Sequence, residues 1–174
     1  VRPESVLITP TELCPEPHLW SARDAEASEV EVGDFMFGLV RLVKPKVVLE
    51  TGCYQGDTTL ALVRAVESNG FGSVYSCDTD NTRVRDSYIQ CLHSKRLNIW
   101  ACTGVQLCER VSDVDLAFID SNGDRLEECK SLQMKKGFVV VHDMNWKSLA
   151  PIRELGWNEI FFPTPRGISL FKVN

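Results

Sequence analysis

The chain has 174 residues, a net charge of −5, and 44% hydrophobic against 25% charged content, which fits one soluble domain large enough to bury a core. An acidic balance without a basic block or a Lys/Arg stripe argues against a dedicated nucleic-acid binder. No apolar run reaches membrane-spanning length and no signal-peptide pattern is present, so no membrane partner is expected. The seven cysteines include no C-x-x-C pair, and are read as reduced thiols in a cytoplasmic protein rather than as a disulfide scaffold or zinc site.

Residues 1–30 carry Pro3, Pro10, Pro15 and Pro17 without a sustained period and read as an irregular arm, with Leu19 and Trp20 as its apolar spot. Residues 31–174 read as a single domain. Phe35, Leu39 and Leu42, flanked by Met36, Val40 and Val43, predict a core-facing helix ending before Pro45. Val47 to Glu50 reads as a buried parallel strand. The stretch Glu50-Thr51-Gly52-Cys53-Tyr54-Gln55-Gly56-Asp57-Thr58 then turns into a helix whose apolar face is Leu62, Val63 and Val66.

A second strand, Ser73 to Cys77, leads into Asp78-Thr79-Asp80, and Asp80 is placed to start a helix bearing Val84, Tyr88 and Leu92. Ile99 to Cys102 is a third strand, followed by Thr103-Gly104. Asp115 to Asp120 is a fourth. Glu127, Glu128 and Lys130 read as the solvated face of a polar helix. Phe138 to Val141 is a fifth strand, closing with His142-Asp143. A short helix over 148–155 and two strands, Trp157 to Phe162 and Gly167 to Val173, form the end of the chain, the latter pair as an antiparallel hairpin. The expected fold is a Rossmann-like α/β fold with a seven-stranded, mostly parallel sheet, helices on both faces and that terminal hairpin.

Chemistry collects at the strand ends. The glycine loop reads E-x-G-x-x-x-G, neither G-x-G-x-x-G nor a Gly-Lys-Ser/Thr loop, and residues 47–63 contain no Lys or Arg. Its carboxylates favour a cationic ligand without phosphates. Asp78 follows the glycine loop by about twenty residues, where a nucleoside-binding α/β fold presents an acid to ribose hydroxyls. Asp120, His142 and Asp143 stand at neighbouring strand ends and are candidate ligands for magnesium or manganese and candidate catalytic groups. Asp124 and Lys147 are further candidates for a base. The bland alternative is that the acids bond nearby loop amides and His142 packs as a satisfied histidine.

Glu50 to Gly56 resembles the first motif of class I S-adenosylmethionine-dependent methyltransferases, and the elements from about Phe35 onward match that fold without a large insertion. The strand ends at Asp120 and at His142-Asp143 are similar to those of small-molecule O-methyltransferases of the catechol and macrolide-sugar type, which hold magnesium there. The resemblance implies S-adenosylmethionine bound by Glu50, Gly52, Cys53, Tyr54, Gly56, Thr58, Asp78, Thr79, Thr103, Gly104 and Asp120, with adenine near Thr103-Gly104. It also implies a small-molecule acceptor and, if the site holds, Mg2+ assistance through Asp120, His142 and Asp143. Departures from the pattern are His142, where an acid is usual, and Asn122-Gly123, where relatives place a catalytic side chain. With so little added to the core, the acceptor pocket is either open or completed by a second subunit through Leu19 and Trp20. The competing readings are a non-catalytic Rossmann-like binding protein and a dinucleotide-dependent oxidoreductase.

Overall fold

The computed structural model describes residues 10–174; Pro3 and the beginning of the expected arm lie outside the described residues. After a 3-10 turn at Pro17–Leu19, the chain runs α1 (Val30–Val43), β1 (Val47–Thr51), α2 (Asp57–Asn69), β2 (Ser73–Asp78), α3 (Asn81–Gln90), β3 (Leu97–Ala101), α4 (Gly104–Arg110), β4 (Leu116–Ile119), α5 (Arg125–Ser131) and β5 (Gly137–His142). A 3-10 segment over Lys147–Leu155 precedes β6 (Asn158–Phe162) and β7 (Ile168–Val173). The strands form one sheet in the order β3-β2-β1-β4-β5-β7-β6. Pairing is parallel from β3 through β5, while β7 runs antiparallel to both β5 and β6.

Strand alternation divides the core. Val48, Val74, Leu116 and Val140 point to the face covered by α1 and α2, where they meet Met36, Val40, Leu62 and Val66. Leu49, Cys77, Ala117, Ile119 and Val141 point to the opposite face, against Leu107 and Cys108 of α4, Cys129 of α5 and Ile152. The central strands are therefore buried on both sides, which explains their unbroken apolar runs. With the order reversing beside β1, the carboxyl ends of β1, β2 and β4 open into a crevice, the usual ligand position in such sheets.

The expected α1 face packs on the core through Phe35, Met36, Leu39, Val40 and Val43 and fails only at Leu42, whereas the expected α3 face is rotated. In α1 the wholly buried residues are Val32, Met36 and Val40, while Leu42 is 81% exposed. In α3 Ser87 is the buried position, and Leu92 lies beyond the helix in a left-handed conformation, 84% exposed. All seven cysteines are free, six of them buried. Among the described residues no helix is long and apolar enough to cross a membrane.

Candidate active site

The glycine loop is strapped to the end of β2. The N–H groups of Gly52 and Cys53 both donate to the Cys77 carbonyl at 2.9 Å, and the Tyr54 N–H donates to Asp78 Oδ2 at 3.2 Å. Gly52 has φ +80°, and a Cβ there would lie 2.7 Å from the Asp120 carbonyl oxygen, so the close passage of β1 and β4 requires glycine. The same holds at Gly56, φ +90°, where a Cβ would strike Ser87 of α3.

Above these strand ends lies a cleft of about 660 Å³, within the range of small-molecule sites. Gly52, Cys53, Tyr54, Thr58, Asp78, Thr79, Thr103, Gly104 and Asp120 line it. The Thr103 hydroxyl is engaged in a capping box with Gln106 at the start of α4. Among the described residues, six carboxylates, Glu26, Asp57, Asp78, Asp120, Asp124 and Glu128, face three guanidiniums, those of Arg83, Arg125 and Arg166, and no His or Lys lines the cleft. This donor set suits a ligand with positive charge and hydroxyls better than a phosphate ester.

Glu50 and Gly56 do not line the cleft. Glu50 is fully buried, and its Oε2 accepts from the Thr59 hydroxyl at 2.5 Å and the Ser76 hydroxyl at 2.6 Å, tying β1 to α2 and β2. Its other oxygen has no partner. Burial outweighs the two hydroxyl bonds and pushes the carboxyl pKa up from 4.5 to about 7. A carboxyl with a raised folded pKa holds its proton more tightly when folded. Its contribution to stability is complete below pH 4.5 and is lost as pH rises through 7. Glu50→Gln is therefore expected to exceed the wild type in stability by roughly 2 kcal/mol at alkaline pH and to match it in acid. Urea titrations at both pH values check this, and a pH-independent difference would refute the assignment.

Glu128, expected on a solvated helix face, is instead buried, with its carboxylate accepting from the Ser121 hydroxyl and, at 2.8 Å, from the Thr51 hydroxyl. Burial raises its pKa. It occupies the space where a side chain at residue 104 would stand, so Gly104 is glycine for the sake of this carboxylate.

The expected catalytic pair lies behind the cleft wall. His142 and Asp143 are fully buried and do not line the cleft, whereas Asp120 does. Asp143 Oδ2 accepts from Arg125 Nη2 at 2.8 Å and Arg166 Nη2 at 3.0 Å, and its Oδ1 accepts from Arg166 Nε at 2.5 Å. His142 Nδ1 lies 3.0 Å from Asp120 Oδ1, and its Nε2 lies 2.6 Å from Glu29 Oε2. Both ring nitrogens face carboxylates and both donate. Burial, which lowers the His142 pKa, is overcome by Asp120 and Glu29, which raise it to about 10. His142 is thus tied on both sides and presents no ring nitrogen to the cleft. The donor atoms of Asp120, His142 and Asp143 do lie within 4.8 Å of one another, but guanidinium and imidazolium protons take the lone pairs a cation would need. Both Asp143 oxygens are already held by guanidiniums.

Five contributors were missing from the sequence reading: Ser28, Glu29, Arg125, Glu128 and Arg166. The arm supplies the first two. It folds back through a bridge between Ala22 and Glu29, and Ala25 to Ser28 form one wall of the cleft. Ser28 donates to Asp120 Oδ2 at 2.6 Å, Arg23 donates to Gln55 at 2.6 Å and pairs with Asp57, and the Tyr54 hydroxyl bonds Asp24 at 3.2 Å. Trp20 is half-buried and Leu19 is exposed.

Solved methyltransferases share this fold. The O-methyltransferase TomG from Streptomyces achromogenes, involved in tomaymycin synthesis and solved with SAM, is 16% identical, with 98% of this chain and 93% of that chain covered and a TM-score of 0.68. An O-methyltransferase from Bacillus cereus solved with SAH is 17% identical, covering 86% and 84%, with a TM-score of 0.66. A methyltransferase from Geobacter sulfurreducens is also 17% identical, covering 82% and 78%, with a TM-score of 0.66. A search of curated proteins returns no match. The family model described as a methyltransferase domain matches residues 49–144, more than half of the chain, and the chain belongs to that family.

Proposed function

We propose that this protein is an S-adenosylmethionine-dependent methyltransferase acting on an oxygen of a small molecule. The observation that carries the reading is the acid-rich cleft at the carboxyl ends of β1, β2 and β4, with Asp78 and the Gly52 loop on its floor. A sulfonium and an ammonium suit those carboxylates, and the absence of Lys and Arg from the loop is consistent with a ligand lacking phosphates. Oxygen as acceptor is supported by the fold neighbours described as O-methyltransferases.

When bound, the cofactor supplies an electrophilic methyl group. The chain's part is orientation: Asp78 accepts from ribose hydroxyls, the Gly52–Tyr54 backbone holds the amino-acid portion, and the arm wall at Ala25–Ser28 keeps water from the transfer path. Asp124, an exposed lining carboxylate that also caps α5 by accepting from the Glu127 N–H at 3.0 Å, is the group to which this reading assigns the acceptor's proton. Unpaired cysteines throughout support a reducing compartment such as the cytoplasm. Exposed Leu19 supports a homodimer contact at the arm, and the acidic net charge supports the absence of a nucleic-acid partner.

The test is calorimetric titration with S-adenosylhomocysteine. One site with micromolar affinity is expected, and no heat of binding at concentrations of about 1 mM would refute the reading.

A further inference from the structure

The ends of β4 and β5 hold a closed set of charges. Asp120, Asp143 and Glu29 supply three carboxylates, Arg125 and Arg166 supply two guanidiniums, and the His142 ring bridges Asp120 and Glu29. Arg125, Arg166 and Glu29 are further tied to backbone. Arg125 Nε donates to the Ser121 carbonyl and its Nη1 to the His142 carbonyl, both at 2.6 Å. Arg166 Nη1 donates to the Ala27 carbonyl at 3.0 Å, and the Arg166 N–H donates to Glu29 Oε1 at 3.1 Å.

We propose that Arg125 and Arg166 take the place of a divalent cation at these strand ends, so that the enzyme is metal-independent and uses the ion-pair set to hold its arm as the cleft wall. The role given to the cleft rests on the methyltransferase reading above; the charge arrangement does not. A divalent cation would enter a site where two guanidiniums already lie within 3.2 Å of Asp120 and Asp143, adding buried positive charge at a large desolvation cost. To bind Asp143 it would also have to displace a bidentate guanidinium, the strongest hydrogen-bonding arrangement open to a carboxylate. Arg125 joins the β4 loop to β5. Arg166, from the β6–β7 turn, joins β5 to the arm at Glu26, Ala27 and Glu29. Arg166 is thus a positioning residue, acting on the cleft through the arm.

The experiment titrates Mn2+ into the wild-type protein, reading free Mn2+ by electron paramagnetic resonance, and separately titrates S-adenosylhomocysteine with magnesium and with chelator. No Mn2+ binding at about 1 mM and a cofactor affinity unchanged within about twofold are expected. Stoichiometric Mn2+ binding that is lost in Asp120→Asn overturns the proposal. Arg166→Ala, checked for folding by circular dichroism, frees one face of Asp143 and is expected to gain Mn2+ binding and faster tryptic cleavage after Arg23. Arg166→Lys restores slow cleavage. Equal cleavage rates in wild type and a folded Arg166→Ala would overturn the clamp. Absence of S-adenosylhomocysteine binding together with absence of Mn2+ binding refutes the methyltransferase reading while supporting the metal-free charge set.

Discussion

Replacing Asp143 with alanine is expected to cost about 3–5 kcal/mol of folding stability, the range for removing one partner from a buried ion pair. Both carboxylate oxygens of Asp143 are engaged, one with Arg166 alone and the other with Arg125 and Arg166 together. Arg125 is 2% exposed, and once the carboxylate is gone its guanidinium keeps Asp120, at 3.2 Å, as its one carboxylate partner. The backbone adds to the loss. Asp143 has φ 61°, a left-handed conformation that aspartate tolerates better than alanine. A domain of ordinary stability, about 5–15 kcal/mol, would lose a large fraction of its margin. Asp143→Asn keeps the size and one acceptor, and is expected to fall between the two. Urea denaturation of the three proteins at neutral pH measures the ordering. A loss below about 1 kcal/mol in Asp143→Ala would show that solvent or a neighbouring acid compensates the guanidiniums, and would contradict the closed charge set. Had Asp143 been a metal ligand at the cleft, the variant would instead lose turnover and keep its stability.

The sheet was readable because parallel strands buried on both faces leave near-continuous apolar runs, as in Phe138 to Val141 and Leu116 to Ile119. Their ends were readable for the same reason: a carboxylate at the close of such a run, Asp78 or Asp120, has nowhere to go but the crevice. Helix faces were less legible. On α1 the residues 35, 36, 39, 40 and 43 all pack on the core, and sequence spacing does not tell that the edge of the stripe leaves Leu42 outside. The least legible part was the charge set. Glu29 and His142 are separated by 113 residues, and Thr51 and Glu128 by 77, so no local pattern joins them. A charged run on a short helix is usually solvated, which is why Glu128 in α5 reads as surface. Counting carboxylates at the strand ends suggested a cation; that the cations were the protein's own arginines could be seen only after folding. The arm shows the same limit, since its prolines marked irregularity but not the fold-back that brings Ser28 to Asp120.

Asp78→Ala is expected to weaken S-adenosylhomocysteine binding by about 100-fold or more, the combined effect of two lost charge-assisted hydrogen bonds. Asp78 is 8% exposed, and the exposed part faces the cleft. Its Oδ2 holds the Tyr54 N–H and its Oδ1 the Asp80 N–H at 3.0 Å, which fixes the carboxylate plane before any ligand arrives and leaves lone pairs directed outward. Arg83 Nη1 lies 4.0 Å from Oδ2, and the Arg83 guanidinium packs over the Tyr54 ring at 4.7 Å. The carboxylate is therefore steadied on three sides. Loss of the side chain both removes the acceptor and releases the loop at Tyr54. Asp78→Asn separates these effects, because it keeps an acceptor for the Tyr54 N–H but loses the charge. If the ribose contact dominates, the asparagine variant binds with intermediate affinity and melts like the wild type; if loop support dominates, it binds nearly as the wild type does. Unchanged affinity in Asp78→Ala would remove the nucleoside from this end of the cleft. It would also leave the Gly52 loop without the acidic partner on which the methyltransferase reading depends.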